Sequence, residues 1–171
     1  MTHKQSIGVL FICLGNICRS PAAEGAFRKL VTERKLEDRF RIDSCGTGSW
    51  HIGELPHHLT RKVALESGIE LSHRARQFRG MREFQEFDFL IAMDRSNYWD
   101  VASQISEPSL KSRLFLFRDF ETKPYQNSGG GGESVPDPYY GGLDGFYEVQ
   151  EIVTKCSEGF FEFLREERYV E

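Results

Sequence analysis

No stretch of this 171-residue sequence approaches the roughly 18 apolar residues that a bilayer-spanning helix needs, so a membrane span is not expected. A basic excess is missing too. Lys and Arg number 22 against 26 Asp and Glu, a formal net charge of -4, whereas a nucleic-acid binder would normally carry a clear positive footprint. Cysteine is sparse, with Cys13, Cys18, Cys45 and Cys156 the four present. None forms a C-x2-C pair and the Cys13 to Cys18 spacing is too wide for a zinc knuckle, so no metal is expected. The apolar run Ile7 to Cys13 is short and runs into Gly, Asn and Arg instead of a small-residue cleavage site, which reads as a strand and not a leader. Reduced thiols follow from that, with Cys45 and Cys156 as small buried hydrophobes. These absences lead us to expect a cytoplasmic protein without cofactor, nucleic-acid or membrane partner; its length suits one globular core, so a single domain over residues 1–171 is expected, taken as a monomer.

What is present has the rhythm of a doubly wound α/β protein. Ile7 to Cys13 is continuously apolar, as a central parallel strand covered on both faces should be. Ser20-Pro21 then opens a helix running to about Glu33, with Ser20 as its N-cap. Phe40 to Cys45, Phe87 to Met93 and Leu114 to Phe117 supply three more strands. Helices are expected over Leu59 to Ser67, stopped by Gly68, and over Arg95 to Ile105. Apolar residues at Phe146, Val149, Ile152, Val153, Cys156, Phe160 and Phe161 keep helical spacing, so a long helix closes the chain. Gln126 to Ser134, with four consecutive glycines, reads as a flexible loop. The sum is a flavodoxin-like, four-stranded parallel sheet with helices on both faces, whose ligands bind beyond the carboxyl ends of the strands.

Cys13-Leu-Gly-Asn-Ile-Cys-Arg19-Ser20 lies at such an end. A turn between strand and helix can curl its backbone N–H groups around one anion, aided by the helix N-terminus. It is not a nucleotide loop, which needs G-x4-G-K-[S/T]. Its distinguishing pair is Cys13 at the first position and Arg19 six residues on. A thiol over converging amides and beside a guanidinium ionises readily, so Cys13 is expected to serve as a thiolate. Arg19 can grip two phosphate oxygens in a planar fork, and Ser20 can donate its hydroxyl hydrogen to the sulfur.

The segment Cys13-Leu-Gly-Asn-Ile-Cys-Arg-Ser-Pro21 resembles the phosphate-binding loop of the low-molecular-weight protein-tyrosine phosphatases. The likeness continues through Asp43-Ser44-Cys-Gly-Thr-Gly-Ser-Trp50-His, Leu71-Ser-His73, Met93-Asp-Arg-Ser-Asn97 and Asp137-Pro-Tyr-Tyr140. The resemblance implies that Leu14, Gly15, Asn16, Ile17, Cys18, Arg19 and Ser20 cradle the phosphate while Cys13 attacks phosphorus. It implies further that Asp137 protonates the leaving phenolate and then activates water, with phosphotyrosine proteins as substrates. Asn16, Ser20, Ser44 and His73 match the family's loop-supporting network. Trp50, Tyr139 and Tyr140 match its aromatic cleft walls, although one of the two tyrosines could instead belong to the core. Cys18 resembles a redox partner that closes a transient disulfide with Cys13.

Two rival activities share features with this pattern. A thioredoxin-coupled arsenate reductase would need shuttle cysteines, and none lies between Cys45 and Cys156. A phosphoarginine phosphatase resembles this loop but carries Thr where Ile17 stands here, which favours phosphotyrosine. A non-catalytic phosphotyrosine-binding module would be expected to have lost Cys13 or Asp137. The chain departs from the family at Pro56-His57-His58, where an acidic residue is common, and in the glycine tract before Asp137. The paired histidines read as solvated loop residues.

Overall fold

In the computed structural model, residues 6–171 are described; Met1 to Gln5, which precede the expected first strand, lie outside the described residues. Strands Ile7–Cys13 (β1), Phe40–Gly46 (β2), Phe89–Ala92 (β3) and Leu114–Leu116 (β4) form one all-parallel sheet in the order β2-β1-β3-β4. Helices are Arg19–Glu33 (α1), His58–Glu66 (α2), Met81–Glu86 (α3), Arg95–Ala102 (α4) and Leu143–Glu166 (α5). The expected flavodoxin-like sheet is therefore what the chain forms.

Why β1 is apolar at every position follows from the two cores it separates. Val9, Phe11 and Cys13 face Phe27 of α1 and Val153, Phe160 and Phe161 of α5. Leu10 and Ile12 point the other way, to Phe84, Tyr98 and Val101 of α3 and α4. Side chains alternate across a strand, so a strand between two helical layers can spare neither parity for polar residues. Register places Cys13 opposite Gly46, which puts the chain's first turn and the end of β2 together at the carboxyl edge.

Several expected boundaries move, each for a local reason. Helix α1 begins at Arg19 with Cys18 in the N-cap position and no side-chain cap; Ser20 is already inside the first turn. Its hydroxyl is committed to Cys13 and Asn16. Phe87 and Asp88 are not part of β3, because Phe87 closes α3 and the Asp88 carboxylate accepts from the amide of Gly8. Phe117 leaves β4 to start a 3-10 turn, and α4 ends at Ala102 rather than Ile105. Helix α3 escaped the sequence reading: it has only six residues, and its fully buried Glu83 breaks the apolar period. That carboxylate is paired with Arg76 and Arg79.

The glycine tract has no regular structure, as expected, but it is tied down rather than loose. Ser128 donates both its amide and its hydroxyl to the buried Asp119 carboxylate, each at 2.9 Å. Its oxygen in turn accepts from the amide of Gly132, and Arg95 Nε donates to the Gly132 carbonyl. No helix among the described residues is long and apolar enough to cross a membrane.

Candidate active site

Leu14 to Cys18 turn between β1 and α1 without regular structure, and Asn16 takes a left-handed backbone with φ of 58°. Asn tolerates that region better than most residues, and here its side chain is what holds the turn. Buried Asn16 donates from Nδ2 to Ser20 Oγ at 2.8 Å and to Ser44 Oγ at 2.9 Å. Its Oδ1 accepts from the amide of Arg76 at 3.0 Å and from His73 Nε2 at 2.8 Å. Ser44 passes its own hydroxyl hydrogen to Glu24 at 2.7 Å. One amide thus ties together four segments of chain.

The sulfur of Cys13 lies 3.0 Å from Ser20 Oγ and 3.2 Å from the amide of Asn16. Ser20 Oγ already accepts from Asn16, so its hydrogen has two available targets, the sulfur and the more distant Cys45 carbonyl at 3.4 Å. The shorter contact directs it to the sulfur. The amides of Gly15, Ile17 and Cys18 donate to no acceptor among the described residues, and these three residues line the cleft above Cys13. Unspent donors around a sulfur form a seat for an anion with several oxygens.

Arg19 is 3% exposed and held by Asp94 Oδ2 at 2.6 Å and the Val135 carbonyl at 3.1 Å, both through Nη1. Burial weakens its hold on the proton, but neighbouring Cys13 and Asp94 outweigh this, and the guanidinium is held more firmly charged than usual. Asp94 also caps α4, accepting from the amide of Asn97 at 2.7 Å. It is the positioning residue that sequence reasoning missed; its signal was an Asp directly before an expected helix start.

Asp137 stands at the mouth, its carboxylate 3.7 Å from Arg19 Nη2 and its Oδ1 accepting from the amide of Tyr139. With Trp50, His51, Tyr139 and Tyr140 it borders a cleft of about 350 Å³ whose floor is Cys13 and its turn. Both tyrosines are exposed, Tyr140 at 93%, so neither belongs to the core. Trp50 folds its ring over Gly48, where a Cβ would come within 1.9 Å of the indole. His51 is a further lining residue that the sequence did not mark.

Burial sets the character of two supporting groups. Cys18 is buried, and burial pushes its thiol up to about 12 despite a hydrogen bond with Thr60. His57 is not a solvated loop histidine. It caps α2 by accepting from the amide of Leu59 and lies against Phe146 with ring centres 4.8 Å apart. Burial, together with neighbouring His58, lowers its pKa. Behind the turn, Glu24, Asp43 and His73 bring ligand-type atoms within 4.8 Å of one another. The two carboxylates are already paired with Arg28 and Arg76.

This arrangement agrees with comparisons to known proteins. A sequence profile described as "Low molecular weight phosphotyrosine protein phosphatase" matches residues 8–170. The chain belongs to the low molecular weight phosphotyrosine protein phosphatase family. A Schizosaccharomyces pombe protein of that name is 40% identical over 161 residues, covering 94% of this chain and 98% of the relative. A crystal structure of a protein tyrosine phosphatase from Entamoeba histolytica superposes with a TM-score of 0.85 at 35% identity, covering 95% of this chain and 99% of that one. A Drosophila arginine phosphatase has a TM-score of 0.80 at 29% identity, covering 92% and 97%. Family membership accounts for the sheet and the turn that ends β1. In this chain Cys13, Arg19, Trp50, Asp137, Tyr139 and Tyr140 line the carboxyl-edge cleft, with Ser44 and His73 on Asn16 behind it, while Cys156 of α5 is packed in the core.

Proposed function

We propose that this chain hydrolyses phosphotyrosine in proteins through a phosphocysteine intermediate. The phosphate sits on the turn amides of residues 14 to 20 with Arg19 gripping its oxygens, and the aryl ring lies between Trp50, Tyr139 and Tyr140. Cys13 sulfur attacks phosphorus as the bond from phosphorus to the phenolic oxygen breaks. Asp137 gives its proton to that oxygen. Asp137 then takes a proton from water, water oxygen bonds to phosphorus, and the sulfur leaves as inorganic phosphate is released. Ser20 donates to the sulfur when it carries charge, before attack and on departure. Asn16, Ser44, His73 and Asp94 keep the turn and Arg19 in place.

The observation that carries this reading is the convergence of Cys13, Arg19 and Asp137 on one aromatic-rimmed cleft, with the sulfur held by Ser20 and Asn16. Buried Ile17 in the turn and the depth provided by flat rings favour an aryl phosphate over phosphoarginine. A cytoplasmic location and action as a monomer fit the same reading.

Metal-free hydrolysis of p-nitrophenyl phosphate, blocked by vanadate, is the first test. Cys13→Ser is expected to lower turnover by about four orders of magnitude or more, and Asp137→Ala by about 10²- to 10³-fold with phosphate affinity retained. Unchanged turnover in either variant would remove that residue from its role. Phosphotyrosine and phosphoarginine peptides assayed side by side decide the substrate class, and a preference for phosphoarginine would overturn the assignment.

A further inference from the structure

A second cavity, of about 420 Å³, opens on the far side of Tyr139. It shares Ile17, His51 and Tyr139 with the cleft above Cys13, so the two adjoin along these three residues. Its cationic wall is made by Arg61 and Arg74. Arg61 Nε donates to the Pro56 carbonyl at 3.1 Å and Arg74 Nη1 to the Gly53 carbonyl at 3.0 Å, which fixes both stems beside the opening. Neither guanidinium forms an ion pair among the described residues, unlike Arg76 and Arg79 nearby. The cavity's carboxylate, Glu54, is turned to His51 at 2.9 Å. Two unneutralised arginines beside the cleft contrast with a chain whose net charge is -4.

An acidic peptide would be repelled by the molecule as a whole and attracted only where positive charge is concentrated. A phosphotyrosine seated in the cleft leaves its peptide backbone crossing the rim, where extended chain advances about 3.3 Å per residue. A side chain about one or two positions away can therefore reach over Tyr139. We propose that this cavity is a specificity subsite that binds an acidic side chain flanking the phosphotyrosine, with Arg61 and Arg74 as its anion contacts. The proposal rests on the phosphotyrosine reading above and adds which sequences are favoured.

The test compares three phosphotyrosine peptides identical except for one flanking residue, Asn, Asp or phosphoserine, with p-nitrophenyl phosphate as a reference lacking any flank. The intact chain is expected to process the Asp and phosphoserine peptides with kcat/KM about tenfold above the Asn peptide, a preference that shrinks as salt is raised. In Arg61→Ala/Arg74→Ala that preference disappears, while p-nitrophenyl phosphate turnover stays within about twofold because surface charges away from the reacting atoms change encounter and not chemistry. Arg61→Lys/Arg74→Lys keeps most of the preference. Equal kcat/KM for the Asn and Asp peptides in the intact chain would overturn the subsite. So would an equal loss on all substrates in the alanine variant. If no phosphotyrosine peptide were hydrolysed, the reading of the main cleft would fall and the subsite with it.

Discussion

Ser20 shows how much a single hydroxyl can be asked to do. Its only hydrogen is directed to the Cys13 sulfur because Asn16 Nδ2 occupies the oxygen's accepting side. Hydrogen bonds to charged groups contribute about 1.5–3 kcal/mol, so Ser20→Ala should lower turnover by about ten- to a hundredfold. Rapid-quench measurements should show more phosphocysteine at steady state, since the sulfur becomes a poorer leaving group. Cys18 makes the opposite case, a thiol kept neutral by burial, its pKa pushed up to about 12. If it resolves an oxidised Cys13, closure must wait for its rare thiolate. The rate of Cys13–Cys18 disulfide formation after mild peroxide should then rise about tenfold per pH unit across the neutral range, read by peptide mapping. A flat profile would exclude Cys18 as the attacking sulfur.

At the scale of elements, α5 and the 3-10 turn Phe117–Glu121 meet at a point that admits no side chain. A Cβ on Gly159 would stand 1.9 Å from the Phe120 carbonyl oxygen, which is backbone and cannot swing aside. Ala within a helix normally gains about 1 kcal/mol over Gly. Overpacking costs about 1–3 kcal/mol or more, and with a contact this short it should dominate. Gly159→Ala is expected to destabilise by about 2 kcal/mol, which in a chain of this size is a fall in Tm of about 4–8 °C by calorimetry. The same turn supplies Asp119, the anchor of the glycine tract that leads to Val135 and Asp137. That explains why a segment with a linker's composition delivers its cargo to a defined place.

For the whole molecule, the acid limb of stability should run through Glu83. Burial pushes this carboxyl up, but hydrogen bonds from Arg76 and Arg79 outweigh burial and leave it below the ordinary 4.5. A depressed folded-state pKa means stability that is fully present above about 4.5 and lost as pH falls from there through the folded value. Glu83→Gln should cost about 2 kcal/mol at neutral pH, less than a fully enclosed pair because Arg76 and Arg79 keep contact with water. Denaturant midpoints of the two proteins should converge below pH 4.5, and parallel curves would place the acid sensitivity elsewhere.

The order of strands and helices was readable because hydrophobic period and turn residues act locally: continuous apolarity in Ile7–Cys13, helical spacing in Leu143–Glu166, and Gly68 with φ of 78° after α2. The turn Cys13 to Ser20 was readable for the same reason, since its chemistry lies within eight consecutive residues. What no local pattern could place were contacts between distant segments. Asp94 meeting Arg19 across 75 positions and Glu24 reaching Ser44 exist only because the parallel sheet stacks the carboxyl ends of its strands side by side. Ser20 departs from the expected cap role on the same account: its sequence neighbours announce a helix, while its hydrogen bonds are decided by a sulfur and an amide that the folded turn brings to it.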